Sequence, residues 1–175
     1  MRARLLLPLL LCLAGCSHYQ LGTEGQLAFT TLYIAPVANQ VLLPQAQAII
    51  TAALRSEFAK DGRVTLVNSP QAADATLKVV IVSYRRDVAA AREQDTGLAS
   101  KFTLVLGVAC TLRDTRTGRA FFEDRPVTTQ LGAFTDNGQP SSPLTGDQLQ
   151  SEYNTVPLLA TSISAKIAHT VLDVW

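Results

Sequence analysis

The spacing of apolar residues divides the first half of the chain into a strand, a helix and a second strand. Leu32 to Pro36 is a short apolar run that a proline ends, which is typical of a β-strand. Apolar residues recur at helical spacing from Ala46 to Phe58, and this pattern predicts a helix that Asp61-Gly62 ends. Asn39 to Leu43 is predicted to be a loop, and Val64 to Val67 a second strand.

The middle of the chain is predicted to be β-structure. Apolar residues dominate Leu77 to Val82, and a longer alternation from Phe102 to Arg113 predicts a long strand. Asp114 to Gly118 has the composition of a hairpin turn. Arg119 to Thr129 is the predicted partner strand, and Pro126 suggests that its far half lies at an edge or outside the sheet. One face of the long strand carries Phe102, Leu104, Leu106, Val108, Cys110 and Leu112.

A long loop and a second helix are predicted to end the chain. Leu131 to Asp147 is rich in Gly, Ser, Pro and Asn, and a helix is expected from about Thr155, with Pro157 in its first turn. The order β-α-β-β-β-β-α implies an α+β two-layer sandwich, in which two helices pack on one face of a mixed β-sheet of four to five strands. The apolar stripe expected to face the sheet consists of Leu159, Ile163, Ile167, Val171 and Val174.

The first residues have the pattern of an export signal. Arg2 and Arg4 precede an apolar run, Leu5 to Leu13, that is shorter than the roughly 20 residues of a membrane-spanning helix. Leu13-Ala14-Gly15-Cys16 resembles the lipobox of bacterial lipoproteins, and the alternative is an ordinary secretory signal with a chance cysteine. We expect residues 1–15 to be a signal peptide, 16–30 a lipidated tether and 31–175 a single α+β domain.

Cys16 is the expected site of lipid attachment. The lipobox resemblance implies an S-diacylglycerol on its thiol and an N-acyl chain such as palmitate on its amine. Two or three chains anchor a soluble domain durably, whereas one chain holds it weakly. Ser17 follows in place of aspartate, which by the lipoprotein sorting rule favours the outer membrane. We expect no cofactor other than this covalent lipid.

Charge and cysteine content narrow the classes of function. The chain has 15 Lys and Arg against 14 Asp and Glu, and removal of the signal peptide leaves the charges nearly balanced. This balance gives no reason to expect a nucleic-acid partner. Cys12 leaves with the signal peptide and Cys16 is acylated, so Cys110 has no partner for an internal disulfide. We interpret Cys110 as a small buried hydrophobe rather than a reactive thiol.

The sequence shows no catalytic or metal-binding pattern. His18 and His169 lie far apart, and motifs for nucleophilic, zinc, P-loop or dinucleotide-dependent enzymes are missing. Glu123 and Asp124 are neighbours on a strand, so they point to opposite faces and fit solvated charges better than an acid–base pair. We expect a protein that is not an enzyme and has no metal site.

Basic residues are concentrated between positions 85 and 125. They are either the solvated ends of hairpins or an anion site at the tips of the strands, where arginine is suited to binding phosphate. Four of them, expected to be exposed, flank the turn between the third and fourth predicted strands and are the candidates for the anion site: Arg85, Arg86, Arg92 and Lys101. The others are Arg113, Arg116, Arg119 and Arg125.

Four short stretches follow one another in the order and spacing of a known family. They are Cys16 to Gly22, Tyr33 to Asn39, Leu54 to Val64 with Ala73 to Leu77, and Leu112 to Gly118. Together they are spread over most of the chain after the signal peptide, and they resemble the LptE family of lipopolysaccharide-assembly lipoproteins. The resemblance implies a non-enzymatic plug inside an outer-membrane β-barrel partner, LptD. It also implies that the protein helps the barrel to assemble, binds lipopolysaccharide and passes it to the outer leaflet.

The resemblance also implies where lipopolysaccharide binds. It places basic residues near the tip after the third strand, where Arg92 stands, and in the loop past the last strand, where Gly132 to Gly146 contain no Lys or Arg. That loop is therefore also a candidate for polar contact with the barrel lumen, whose interior is typically polar. The expected location is the outer membrane, with the domain on the periplasmic side or inside the lumen.

A second class of function fits the same features. A small α+β domain on a lipid tether also suits an outer-membrane lipoprotein that docks onto a periplasmic cell-wall synthesis enzyme and activates it. A third class, a lipid-anchored hydrolase, is disfavoured because the sequence lacks a nucleophile–base set.

Overall fold

A mixed sheet and two helices form the domain. The computed structural model describes residues 27–43, 45–91, 99–134 and 144–173. The predicted α+β class is confirmed, but the sheet has six strands rather than four to five. The elements in chain order are β1 (Thr31–Ile34), β2 (Ala38–Asn39), α1 (Ala46–Asp61), β3 (Thr65–Val67), β4 (Ala75–Ala91), β5 (Ala99–Asp114), β6 (Ala120–Phe134) and α2 (Leu144–Leu172).

The sheet combines a short parallel part with a long antiparallel part. Its strand order is β3-β1-β4-β5-β6, and β2 also pairs with β4. β1 is parallel to β3 and β4, whereas β4, β5 and β6 are antiparallel. Parallel neighbours need a crossover, which α1 supplies between β1 and β3. Because β1 and β2 pair with β4 no further than Ile81, β4 and β5 extend beyond the parallel part. We call this extension, β4 beyond Ile81 with its β5 partners, the tip end.

The core lies between the sheet and the two helices. As predicted, α1 buries its apolar stripe from Ala46 to Phe58, and the even-numbered face of β5 from Phe102 to Leu112 is buried. Ile163 and Ile167 of α2 are fully buried, and α2 packs against β6, β5 and α1. Burial of an aliphatic side chain contributes about 1.5–3 kcal/mol, so this single cluster dominates the stability of the fold.

The last helix begins earlier than its sequence suggests. The predicted loop from Leu131 to Asp147 is wrong at both ends, because β6 continues to Phe134 and α2 begins at Leu144. Pro157 lies inside α2 rather than in its first turn. A proline removes one backbone donor but does not have to end a helix whose apolar face is packed, and this explains the error. Val174 lies outside the described residues.

Two shorter segments also differ from the prediction. We expected a loop to begin at Asn39, but Asn39 is the second residue of strand β2 and pairs with Ile81 of β4. Phe29, which the sequence assigned to the tether, is buried against the core and packs on Phe121 with ring centroids 5.7 Å apart. Phe29, which precedes the first strand, therefore belongs to the hydrophobic core of the domain.

Asp74 fixes the point where the chain enters the sheet. Its Oδ2 accepts hydrogen bonds from the backbone N–H groups of Thr30 and Thr31, at 3.0 and 2.9 Å, and from the Thr30 hydroxyl. The Thr31 hydroxyl accepts a bond from the Asp74 backbone N–H in return. These donors, led by the backbone N–H of Thr31, hold the pKa of Asp74 well below its usual range. The Ala-Asp pair before β4 is therefore a structural lock on the start of β1.

The sheet has two differently built edges. β3, at one edge, is only three residues long. β6 forms the other edge, as Pro126 had suggested, and this proline lies opposite Ala109. Asp124 has a φ of 44°, and the β5–β6 register shifts between Cys110 and Leu112, so β6 is bulged beside the proline.

Candidate anion site at the tip end of the sheet

A β-bulge in β4 determines which side chains of the tip end face the helices. Ile81 pairs with Val108 and Ser83 with Gly107, so Val82 is an extra residue in β4. Ser83 comes so close to Gly107 that a Cβ on this glycine would clash with the serine hydroxyl. The bulge reverses the alternation of the strand and therefore turns the side chains beyond it.

The bulge separates the candidate basic residues between the two faces of the sheet. Ile81 faces the core, so an unbulged strand would place Arg86 on the open face, away from the helices. In the structure Arg86 is on the helix side, whereas Arg85 is on the open face, opposite Val105. Lys101 shares that open face and lies four residues from Val105, about 13 Å along the strand. The turn was expected to bring several of these cations to one end of the sheet; Arg85, Arg86 and Lys101 lie at the tip end, with Arg86 on the helix side and the other two on the open face.

Arg85 forms an ion pair at the surface. Its Nε lies 2.7 Å from Asp87 Oδ1, and both side chains are exposed. The hydrogen bond between them lowers the pKa of Asp87 and raises that of Arg85. Exposed pairs of this kind contribute little to stability, so an incoming anion can replace Asp87 at small cost.

Arg86 belongs to a more enclosed polar cluster that ties β4 to α2. Its Nη2 lies 2.6 Å from Glu152 Oε2, and Tyr84 donates its hydroxyl proton to Glu152 Oε1. The side chain of Glu152 is only 13% exposed, whereas that of Arg86 is 45% exposed. Burial, followed by the bond to Glu152, raises the pKa of Tyr84 well above its usual range. The guanidinium carbon lies 6.0 Å from the ring centroid of Phe102, at the limit of a cation–π contact.

The contact between Arg86 and Glu152 is close but imperfectly aligned. No N–H group points at Glu152 Oε2 in hydrogen-bond geometry, although the two atoms are in ion-pair contact. We treat the contact as a coulombic ion pair. The attraction between two charges depends on their distance, which is short here, whereas a hydrogen bond also requires an aligned N–H group. A misaligned pair is weaker than a bidentate fork and is easier to exchange.

Sequence reasoning missed Glu152 and its contact with Arg86. Glu152 fell between the predicted loop and the predicted helix, so no pattern placed it opposite β4. Arg86 was expected to be exposed, and it is, but its guanidinium is paired with Glu152. Arg92 and the turn around Thr96 lie outside the described residues.

The basic residues near the β5–β6 turn fit the solvated interpretation. Arg113 pairs with Glu123, and the Arg125 guanidinium lies 4.4 Å from the Phe122 ring centroid. Arg116 and Arg119 are exposed. This turn lies at the opposite end of β5 from the tip end, and we call it the hairpin end.

Other chemistry in the described residues is limited. Burial raises the pKa of the Cys110 thiol to about 12, which agrees with its interpretation as a buried hydrophobe. His169 is exposed near the end of α2. Among residues 27–43, 45–91, 99–134 and 144–173, no three His, Cys, Asp or Glu side chains are grouped to hold a metal ion.

One helix has the length and apolar composition of a membrane span. It is the part of α2 from Gln150 to Leu172, and half of it is buried inside the protein. Its buried stripe is packed on β5 and β6. These contacts are those of a core helix, which passes the same test of length and composition.

Comparison with protein families gives one match that spans the domain. Residues 29–168 match the model of the LptE family, described as lipopolysaccharide-assembly. The matched segment runs from Phe29 into the last turns of α2 and includes the whole sheet. No curated protein sequence matches the chain.

Several solved structures share the fold. A minor lipoprotein from Acinetobacter baumannii is 16% identical, with a TM-score of 0.52 over 83% of this chain and 92% of that one. The PelC dodecamer from Paraburkholderia phytofirmans is 16% identical, with a TM-score of 0.51 over 86% and 95%. A protein from Xanthomonas campestris is 13% identical, with a TM-score of 0.56 over 86% and 87%. At these identities the likeness shows the fold alone.

Proposed function

The chain belongs to the LptE lipopolysaccharide-assembly family, and from this membership we propose that it is a lipid-anchored outer-membrane lipoprotein that assembles with a β-barrel partner, LptD. In that complex it plugs the barrel and assists the insertion of lipopolysaccharide into the outer leaflet. The observation that carries the proposal is the family match across residues 29–168, which agrees with the resemblance of the four sequence stretches. The role is structural and ligand-binding rather than enzymatic.

The anchor places the domain at the membrane surface. Cys16 carries the lipid, Ser17 favours the outer membrane, and the domain lies on the periplasmic side or inside the barrel lumen. The lock between Asp74 and Thr31 supports this arrangement, because it gives the tether a fixed point of entry into the sheet. Because β1 and β4 are paired in the sheet, both strands resist a force that the tether applies to the domain.

The open face of the sheet suits a polar barrel interior. Lys78, Thr128 and Gln130 are exposed on the described strands, and the face opposite the helices is not covered by any described element. The lumen of an outer-membrane barrel is typically polar, so this face is compatible with contact to the barrel wall. β6 ends at Phe134, which pairs with Lys101, and the segment between β6 and α2 is the second region proposed to contact the barrel.

Lipopolysaccharide is proposed to bind at the tip end. Arg85 and Lys101 provide cations on the open face, and Arg86 provides one on the helix side. Arg92 follows β4 in the sequence and is a fourth candidate. Lipid A phosphates are clustered anions, and arginine can hold them with charge-assisted hydrogen bonds. Since Arg85 and Arg86 each have an acidic partner, ligand binding must exchange those partners.

Co-purification from detergent tests the proposed function. The tagged full-length chain should retain a β-barrel whose gel mobility changes on heating, and depletion of the chain should lower the amount of folded barrel and admit large antibiotics. The control is the same chain with Cys16 intact but with the tip-end cations replaced, which should still retain the barrel. Retention of a soluble cell-wall synthase, with normal barrel assembly, would contradict the proposal.

A further inference from the structure

We propose that Glu152 is a positioning residue of the anion site: it holds Arg86 against α2 until a phosphate group displaces the carboxylate and takes the guanidinium. This inference rests on the proposed function, because it specifies how the tip end accepts an anionic ligand. The ligand chemistry is a phosphate monoester or diphosphate, as carried by a lipid headgroup or by free pyrophosphate.

The exposures of the two partners set the direction of the exchange. Glu152 is nearly enclosed, whereas almost half of the Arg86 side chain is open to solvent. A guanidinium has five N–H donors, and a single Nη2 contact to Glu152 leaves most of them available. An incoming phosphate can therefore approach Arg86 without first entering the space between β4 and α2.

The weakness of the existing pair favours exchange. Arg86 and Glu152 are close, but Oε2 receives no aligned hydrogen bond. A phosphate can offer two oxygens to the planar fork and so form the bidentate contact that Glu152 does not make. The Phe102 ring lies 6.0 Å from the guanidinium carbon and offers it a weak contact on the same side of the sheet.

Displacement of the carboxylate has a consequence for α2. Glu152 then keeps only the Tyr84 hydroxyl as a partner, and a shielded carboxylate without a cation is unfavourable. Pro157 follows within two turns and leaves this part of α2 with one backbone hydrogen bond fewer. Anion binding should therefore loosen residues 150–156, and by reciprocity a firmly docked α2 should weaken anion binding.

Replacement of Glu152 by glutamine isolates the charge. Glu152→Gln keeps an oxygen that accepts the Tyr84 hydroxyl, but removes the anion that competes for Arg86. Inorganic pyrophosphate, titrated calorimetrically into the full-length protein in detergent, should bind the variant about fivefold more tightly, which corresponds to the upper range of a solvent-accessible ion pair. In an Arg86→Gln background the same substitution should have no effect, since the competition is gone.

Tyr84→Phe is the matched control. It removes a hydrogen bond to the same carboxylate, but the negative charge of Glu152 still competes for Arg86. The affinity for pyrophosphate should therefore not rise. A purely structural role for Glu152 predicts instead that both variants lower the affinity or leave it unchanged. That result, or an equal effect of Glu152→Gln with and without Arg86, would overturn the proposal.

Hydrogen exchange on the wild-type protein provides a second test that does not depend on a variant. Pyrophosphate should accelerate amide exchange in residues 150–156 and leave residues 163–172 unchanged. Binding to vesicles with and without lipid A identifies the source of the phosphate. If Glu152→Gln binds neither lipid A vesicles nor pyrophosphate more tightly than the wild type does, the inference is refuted. Co-purification of the barrel does not require Glu152, so failure of the exchange mechanism and failure of the proposed function can be told apart.

Discussion

The two ends of β5 are built from different kinds of polar contact. At the hairpin end, Asp114 Oδ1 accepts the backbone N–H groups of Arg116 and Thr117 at 2.9 and 2.8 Å, and Asp74 accepts those of Thr30 and Thr31. At the tip end, carboxylates contact the side chains of arginine and tyrosine. The hairpin end also has one side-chain pair, Arg113 with Glu123, but its turn is held by the backbone bonds to Asp114.

This difference separates a structural end from a binding end. Backbone donors are fixed by the fold, so the aspartates of the hairpin end have little freedom to exchange partners. Side-chain cations can rotate away, and a ligand with more negative charge can take them. The same antiparallel strands thus hold a rigid turn at one end and exchangeable ion pairs at the other, and the aspartate and arginine substitutions described below test this contrast.

The largest effect is expected where the anchor joins the chain. Cys16→Ala removes the thiol that we propose is acylated, so the protein should stay a precursor or become a soluble product, and labelled palmitate should not be incorporated. The domain itself should keep its stability, because the buried core that the structure describes begins at Phe29 and is complete in its sheet and helix contacts without the substituted thiol. Palmitate in the Cys16→Ala protein would contradict the anchor, and Cys110→Ala is the control that should leave labelling intact.

The next effect concerns the core that both ends share. Ile167 is fully buried in α2, and Ile167→Ala should lower the free energy of unfolding by about 2–5 kcal/mol. Leu158→Ala is a matched control, since Leu158 is 62% exposed on the same helix and should cost less than about 0.5 kcal/mol. Urea unfolding measures both, and an unchanged midpoint for Ile167→Ala would refute the packing of α2.

A smaller effect should distinguish the aspartates of the two ends. Asp74→Asn removes the charge that accepts two backbone N–H groups and should cost about 1 kcal/mol, an amount reduced by the exposure of the site. Asp87→Asn, which breaks only the exposed pair with Arg85, should leave the urea midpoint unchanged. Equal costs at the two positions would remove the contrast between the ends.

Acid should reveal the same difference. The folded-state pKa of Asp74 is depressed, so its contribution is fully present above the unfolded pKa of about 3.9 and is lost as the pH falls through the lower folded value. The stability gap between wild type and Asp74→Asn should therefore be constant near neutrality and narrow below about pH 4. Urea midpoints measured across this range test the sign, and a gap that widens in acid would contradict it.

The smallest effect is expected for ligand binding at the surface. Arg85→Ala with Arg92→Ala should weaken lipopolysaccharide binding by about threefold and leave the fold intact, because exposed cations contribute little individually. Arg116→Ala with Arg119→Ala removes the same charge from the hairpin end and should leave binding unchanged. Added salt should narrow the difference between the two double variants. Equal losses at both ends would show that net charge, and not position, attracts the ligand.

The elements that depend on repeated apolar spacing could be predicted from the sequence. The buried face of β5 and the stripe of α1 each rest on several residues in one period, so single exceptions do not change the prediction. Pro157 was misleading because its local preference for a first turn is weaker than the packing of the surrounding helix.

The candidate site was harder to predict than the fold. Its geometry depends on one extra residue, Val82, and a bulge of this kind leaves no periodic signal but reverses the side chains that follow it, as far as the next register shift after Val88. The Ser83–Gly107 contact is the only local sign of it, and it becomes visible only when β4 and β5 are aligned. The pairing of Arg86 with Glu152 joins residues far apart in sequence, which single-strand patterns cannot reveal.

The uneven edges of the sheet bear on how crowded the protein can be without aggregating. The proposed lipid tether would confine all copies to one surface, where their local concentration far exceeds that of the same number of molecules in solution, and exposed strand edges would then meet often. β3 offers an edge of only three residues. On β6, Pro126 lacks a donor and the bulge at Asp124 bends the strand, so two copies cannot extend a continuous ladder there. The fold can thus be packed densely on a membrane while its strands remain separate.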